Sequence, residues 1–155
     1  MDKMGARLAE EGFKVAKIDY PSREHPIEKL SKLAVGRGLK KCKEFDAKKI
    51  HFVAHSLGGI LVRYYLSKHS IGNLGRTVML GPPNKGSEVV DTLKDFPGFE
   101  FINGPAGLQL GTGSQSIPKT LGEADFEVGV IAGTRSINLF LSMMIPSTDD
   151  GKVSL

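Results

Sequence analysis

The sequence predicts an α/β fold: a mostly parallel sheet with helices on both faces. Three observations carry this expectation. Short apolar runs rich in Val, Ile and Phe alternate with longer stretches of helical periodicity. Gly, Pro and Asn punctuate the passages between them. The 155 residues, 40% hydrophobic and 25% charged, suit one soluble domain with a core of its own.

Met1 to Glu11 reads as a helix, with Met1, Met4 and Leu8 on one face and Gly12 as its stop. Phe13 to Asp19 (FKVAKID) reads as a strand, and Tyr20-Pro21-Ser22 breaks the chain. Pro26 suits the first turn of a helix running to about Phe45. Lys49 to Ala54 (KIHFVA) is the next strand, followed by a helix from Leu57 to Lys68 with Leu57, Ile60, Leu61 and Tyr64 along one side. Gly75 to Leu80 (GRTVML) is a strand that Gly81-Pro82-Pro83-Asn84 ends. Ser87 is placed to cap a short helix from Glu88 to about Lys94. Residues 97–122, rich in Gly and Pro, read as a loop excursion, and Phe126 to Ala132 (FEVGVIA) as a further strand.

Composition narrows function. The one cysteine, Cys42, allows no intrachain disulfide and fits a reducing compartment. The N-terminus lacks the apolar core of a secretory signal, which gives a cytoplasmic expectation. No apolar run is long enough to span a bilayer. Four histidines without a Cys or His cluster give no metal-ligand spacing, and no cofactor is expected. The net charge of +4 draws on Lys40, Lys41, Lys43, Lys48 and Lys49. Ile27, Leu30, Leu33, Ala34 and Cys42 fall at helical spacing among them, so the lysines read as a solvated face and not as a nucleic-acid surface. The Gly-rich run 104–113 lacks the Gly-Lys-Ser/Thr ending of a phosphate loop. Asn84 and Ser87 read as turn and cap residues before substrate contacts.

The chemistry concentrates in HFVAHSLGGILVRYYL, residues 51–66. Parallel α/β sheets carry their sites at the carboxyl ends of strands, and Ser56 follows such an end. In Ala54-His55-Ser56-Leu57-Gly58-Gly59 small residues flank the serine, as a tight strand–turn–helix corner requires. The pattern places Ser56 as a nucleophile and the Leu57 N–H as an oxyanion donor, with Ala54, Gly58 and Gly59 giving the packing space. The competing reading makes Ser56 a helix cap.

These residues, with VMLGPPNKGSEVVD (78–91) and STDDGKV (147–153), resemble the α/β-hydrolase superfamily, nearest its lipase-like serine esterases. The resemblance implies a single, partial α/β-hydrolase domain over 1–155, a lipid-like or short acyl ester as substrate, and Asp150 as the acid that orients a catalytic histidine. Asp149 is its near rival. It also implies that the histidine should follow the acid, yet only Gly151 to Leu155 do. His25, His51, His55 and His69 make poor substitutes, His69 lying about 18 Å from Ser56 by helical rise. Superfamily members further place a strand and a His-Gly-like loop before the first helix, between the equivalents of Phe13–Asp19 and Lys49–Ala54. The two absences give the expectation of a piece of a longer hydrolase, inactive by itself; a minimal protein with different strand pairing is the other possibility. A non-catalytic binding or scaffold domain on the same fold is the alternative function.

Overall fold

The computed structural model describes residues 1–133. Asp149, Asp150 and the rest of the STDDGKV segment lie outside the described residues.

Three strands form one sheet: β1 (Ile50–His55), β2 (Leu74–Leu80) and β3 (Val128–Ile131), in the order β1-β2-β3 and all parallel. Parallel neighbours need crossovers. Helix α3 (Leu57–Leu66) joins β1 to β2, and a chain of short helices joins β2 to β3: α4 (Glu88–Leu93), α5 (Phe99–Leu108) and α6 (Ile117–Thr120). Helices α1 (Asp2–Glu10) and α2 (Ile27–Glu44) precede the sheet. This is the α/β class that the alternating pattern predicts.

The core lies where α2 and α3 pack. Ile27, Leu30 and Ala34 of α2 meet Ile60 and Leu61 of α3, with Ala106 of α5 completing the cluster. Val35 and Val62 pack on Ala54 and so fasten both helices to β1. Ser31, wholly buried, donates its hydroxyl to the Leu61 carbonyl at 2.9 Å, which lets a polar residue sit inside this contact. The opposite side of α2 carries Lys40, Lys41 and Lys43, all exposed, as the periodicity predicts.

β1 and β2 do not run in simple register. Ile50 pairs with Leu74 and Phe52 with Thr77, so β2 carries one extra residue opposite His51. The Arg76 N–H donates to His51 Nδ1 at 2.9 Å. Gly75 makes this possible: a Cβ there would stand 2.5 Å from His51 Cε1. His51 is therefore an exposed strand residue whose ring nitrogen Nδ1 takes the place of a ladder acceptor.

Two expectations are corrected. Phe13–Asp19 is not a strand. The segment lies outside all three strands, and among the described residues no backbone N–H of residues 14–19 reaches a backbone carbonyl. A strand requires a partner within one ladder spacing, and this segment has none among the described residues. The excursion 97–122 is also not simply a loop, since it contains α5 and α6. Helix α5 is broken at Gly104 (φ 67, ψ −179), ahead of Pro105, which explains why its periodicity is illegible in the sequence.

Candidate active site

Ser56 stands between the last residue of β1 and the first of α3, with φ 51 and ψ −123. Among the described residues, only Asp46 shares a positive φ with it outside glycine. Such a backbone costs roughly 1–3 kcal/mol at a non-glycine residue and persists only when its surroundings hold it. They do so here on both sides. The Ser56 N–H donates to the Leu80 carbonyl of β2 at 2.9 Å, and the Ser56 carbonyl accepts the Gly59 N–H at 3.0 Å.

The cap reading of Ser56 does not survive this geometry. Ser56 occupies the N-cap position of α3, but its side chain makes no capping hydrogen bond. A capping serine has β-region dihedrals and an Oγ turned back to the first helical turn. Ser56 has neither. It is half-buried.

The small residues around the corner are not equivalent. Ala54 is 7% exposed under α2 and α3. A Cβ on Gly58 would lie 3.7 Å from the Ala54 Cβ, an ordinary contact. At Gly59 it would lie 3.0 Å from Pro82 Cβ and 3.3 Å from Met79 Sδ. The tight approach of helix to sheet therefore falls at Gly59, against β2 and the loop after it. Gly58 keeps the space beside Ala54 and below the Tyr20 hydroxyl, itself 3.7 Å from a Cβ placed there. Desolvation pushes the half-buried Tyr20 phenol above its usual range.

The strand ends are level at this edge of the sheet. Ser56 N–H bonds to Leu80 O, and Gly81 N–H bonds to Ile131 O at 2.8 Å, so the carboxyl ends of β1, β2 and β3 meet in a row. Leu57 is the first residue of α3, and its N–H is one of the orphan donors of a helix start.

One organising residue was not seen in the sequence. Arg63, 7% exposed, lies on α3. Its Nη1 donates to Asn84 Oδ1 at 2.9 Å and to the Asn84 carbonyl at 3.4 Å, and its Nη2 to the Gly122 carbonyl. Burial lowers its pKa from the usual arginine value, and among the described residues no carboxylate forms an ion pair with it. The guanidinium thus ties the loop after β2 and the turn before β3 to the helix that carries Ser56. The signal was an arginine inside the apolar run LGGILVRYYL. It also gives Asn84 a structural role. Ser87, expected to cap α4, sits at the N-cap position without a side-chain capping bond.

The Gly-rich run is anchored, not open for phosphate. Gln109 Oε1 accepts the Ile27 N–H at 2.7 Å and its Nε2 donates to Glu28 at 3.0 Å, so this residue caps α2 from a distance. Asp91 Oδ2 accepts both the N–H and the hydroxyl of Thr112, at 2.9 and 2.6 Å.

The histidines are dispersed. His51 is committed to Arg76, and His69 stacks on Tyr65 beyond the far end of α3, with ring centroids 4.6 Å apart. Among the described residues no hydrogen bond joins a histidine to Ser56, and no group of three His, Cys, Asp or Glu gathers where a metal ion could be held. No described helix is long and apolar enough to cross a membrane.

A parallel sheet with a strained serine where its first strand turns into a helix defines an α/β-hydrolase fold. Solved structures agree. A lipase of Bacillus licheniformis, BlEst2 in its mature form, is similar with a TM-score of 0.64 and 19% identity over 87% of this chain and 61% of its own. The same lipase in its propeptide form gives 0.65 and 18%, over 87% of this chain and 33% of its own. The phospholipase PlaB of Legionella pneumophila gives 0.72 and 18%, over 98% of this chain and 39% of its own. The chain thus shares the fold of α/β-hydrolase lipases and spans less than two thirds of the length of each of these. No protein-family model and no curated protein matches it.

Proposed function

We propose that the chain carries the nucleophile of a serine hydrolase acting on carboxylic esters, lipid-like or short acyl. One observation carries the reading: Ser56 holds φ 51 and ψ −123 at the end of β1 with no capping bond to explain it. Strained backbone at a half-buried serine is a cost that catalysis accounts for and helix capping does not. The shared fold with a lipase and a phospholipase supports an ester as the substrate class.

In this mechanism Ser56 Oγ attacks the ester carbonyl carbon, and a histidine takes its proton. The Leu57 N–H donates to the oxyanion that forms, at a helix start where donors are unpaired. Asp150, or its neighbour Asp149, steadies the imidazolium. The histidine has no assignment, and so the 155-residue chain alone turns over ester slowly or not at all. A cytoplasmic setting belongs to the same proposal.

The test is covalent labelling by a fluorophosphonate. A longer polypeptide that supplies the histidine is expected to label at Ser56, as located by peptide mass spectrometry, and its Ser56→Ala variant to lose the label. In a longer polypeptide that hydrolyses p-nitrophenyl esters, Ser56→Ala should lower turnover by roughly 10³-fold or more. Retained hydrolysis in that variant would end the assignment. The second reading, a non-catalytic binding domain, rests on the histidines, none of which hydrogen-bonds Ser56 among the described residues. It predicts a longer polypeptide that folds and does not label.

A further inference from the structure

We propose that Arg63 is a positioning residue for Ser56: its guanidinium clasps the two ends of the crossover between β2 and β3, and so fixes the loop against which the serine corner is held. The inference deepens the serine-hydrolase reading and rests on it.

The crossover leaves β2 at Leu80 and enters β3 at Val128. One side chain reaches both of its ends. Arg63 Nη1 holds Asn84, just after β2, through the side-chain oxygen at 2.9 Å and the carbonyl at 3.4 Å. Its Nη2 holds the carbonyl of Gly122, shortly before β3. A guanidinium is a planar fork with donors facing in several directions, so it can tie two segments at once. A lysine ammonium is a point charge without that fork.

The path from the clasp to Ser56 is short. Gly59 and Arg63 stand one turn apart on the same face of α3. Gly59 meets Pro82, where an added Cβ would lie 3.0 Å from Pro82 Cβ, and Arg63 meets Asn84. The loop after β2 thus touches the helix twice. Between the two contacts the Asn84 N–H donates to the Pro82 carbonyl at 2.8 Å, a tight three-residue turn. Two residues before Pro82, the Leu80 carbonyl accepts the Ser56 N–H at 2.9 Å. A shift of residues 82–84 along α3 therefore acts on the bond that holds the strained Ser56 backbone. Leu57, whose N–H is the oxyanion donor of the proposed mechanism, lies between that bond and the Gly59 contact.

The cost of the arrangement points the same way. Arg63 is 7% exposed, and its hydrogen-bond acceptors among the described residues are neutral oxygens. Burying a cation without a carboxylate is expensive, and an apolar side chain of similar volume would fill the space at lower cost. Packing alone does not account for an arginine here. A tie between two segments and the helix of the nucleophile does.

The test joins hydrogen exchange on the 155-residue chain to fluorophosphonate kinetics on a longer polypeptide that supplies the histidine. Arg63→Lys should speed exchange about ten-fold or more at both ends of the crossover, at Asn84, Gly86 and Ser87 and at Leu121 and Gly122. The amides of β1 and β2 should hold their rates. In the longer polypeptide, Arg63→Lys and Asn84→Ala should each lower the limiting labelling rate by roughly ten-fold or more, because small misplacement of a nucleophile is costly. The probe concentration for half-maximal rate should stay within about two-fold. Asn84→Asp keeps the side-chain acceptor and should restore most of the rate lost in Asn84→Ala. If Arg63→Lys fails to fold, the two Asn84 variants decide, since they leave the guanidinium in place. Limiting rates equal to the parent's overturn the proposal. So does a changed half-maximal concentration at an unchanged limiting rate. Equal acceleration of the β1 and β2 amides makes Arg63 an ordinary core residue and also overturns it. A parent that does not label ends the Ser56 reading, and the positioning role with it. A parent that labels at Ser56 beside variants that label as fast ends the positioning role alone.

Discussion

FKVAKID at residues 13–19 and KIHFVA at residues 49–54 are near equals as sequence. Both are short, rich in apolar and β-branched or aromatic residues, and bounded by breakers. One of them becomes β1, paired residue by residue with β2. The other lies between two helices with no strand partner among the described residues. The difference teaches that strand propensity selects an extended backbone and no more. Whether that backbone becomes a strand depends on a neighbour within one ladder spacing. The β1 region is fixed by such a neighbour, tightly enough to hold a strained serine at its end; residues 14–19 have no backbone ladder among the described residues.

Proline should separate the two regions most sharply. Val78 lies in β2, which pairs on both sides, so Val78→Pro loses ladder bonds wherever its N–H points. A loss of roughly 3 kcal/mol or more is expected in urea unfolding, enough to leave a small domain unfolded. Ala16→Pro removes an N–H with no backbone acceptor among the described residues and should cost less than about 1 kcal/mol. Equal losses would break the comparison.

The bulge gives the next effect. Gly75→Ala drives a Cβ onto the His51 ring and should destabilise by about 1–3 kcal/mol. His51→Ala removes the acceptor for the Arg76 N–H and should cost about 1 kcal/mol. The double variant should be more stable than the sum of the two losses implies, because removing the ring removes the clash. Strict additivity in a thermal-melt cycle would show that His51 does not fill the space over Gly75.

The corner itself should respond in the opposite sense. Ser56→Gly releases a backbone with φ 51 and is expected to raise stability by about 1 kcal/mol. Ser56→Ala should be nearly neutral by calorimetry, since no capping bond is lost. A drop of about 1 kcal/mol in that variant would restore the cap reading.

The smallest effect lies at the flank. Asp2 and Lys17 pair at 2.5 Å, which lowers the carboxyl pKa and raises that of the ammonium, but both side chains are largely exposed. Lys17→Met should leave the melting temperature within measurement error, because exposed pairs are screened and entropically costly.

Much of the site was legible because it is local. The residues from Ala54 to Gly59 are consecutive, so a strand end, a tight turn and a helix start could be read together. Even there the sequence assigned the close packing to Gly58 and Gly59 alike, whereas the crowded position is Gly59, against Pro82 and Met79. Arg63 was missed because its acceptors, Asn84 and Gly122, lie 21 and 59 residues further along the chain. Gln109 was missed for the same reason, since it caps a helix that begins 82 residues earlier.

What the sequence determined by itself was the alternation of apolar and helical segments and the corner that presents Ser56. Those features depend on backbone preference, side-chain periodicity and steric demand within a few residues. What only the tertiary structure decided was which extended segments found partners, which glycines the packing required and which long-range polar contacts held the loops around the sheet edge. Hydrogen bonds between strands and the desolvation of an arginine are properties of neighbours in space, and Phe13–Asp19, with no ladder partner among the described residues, is not a strand whatever the propensity of its residues.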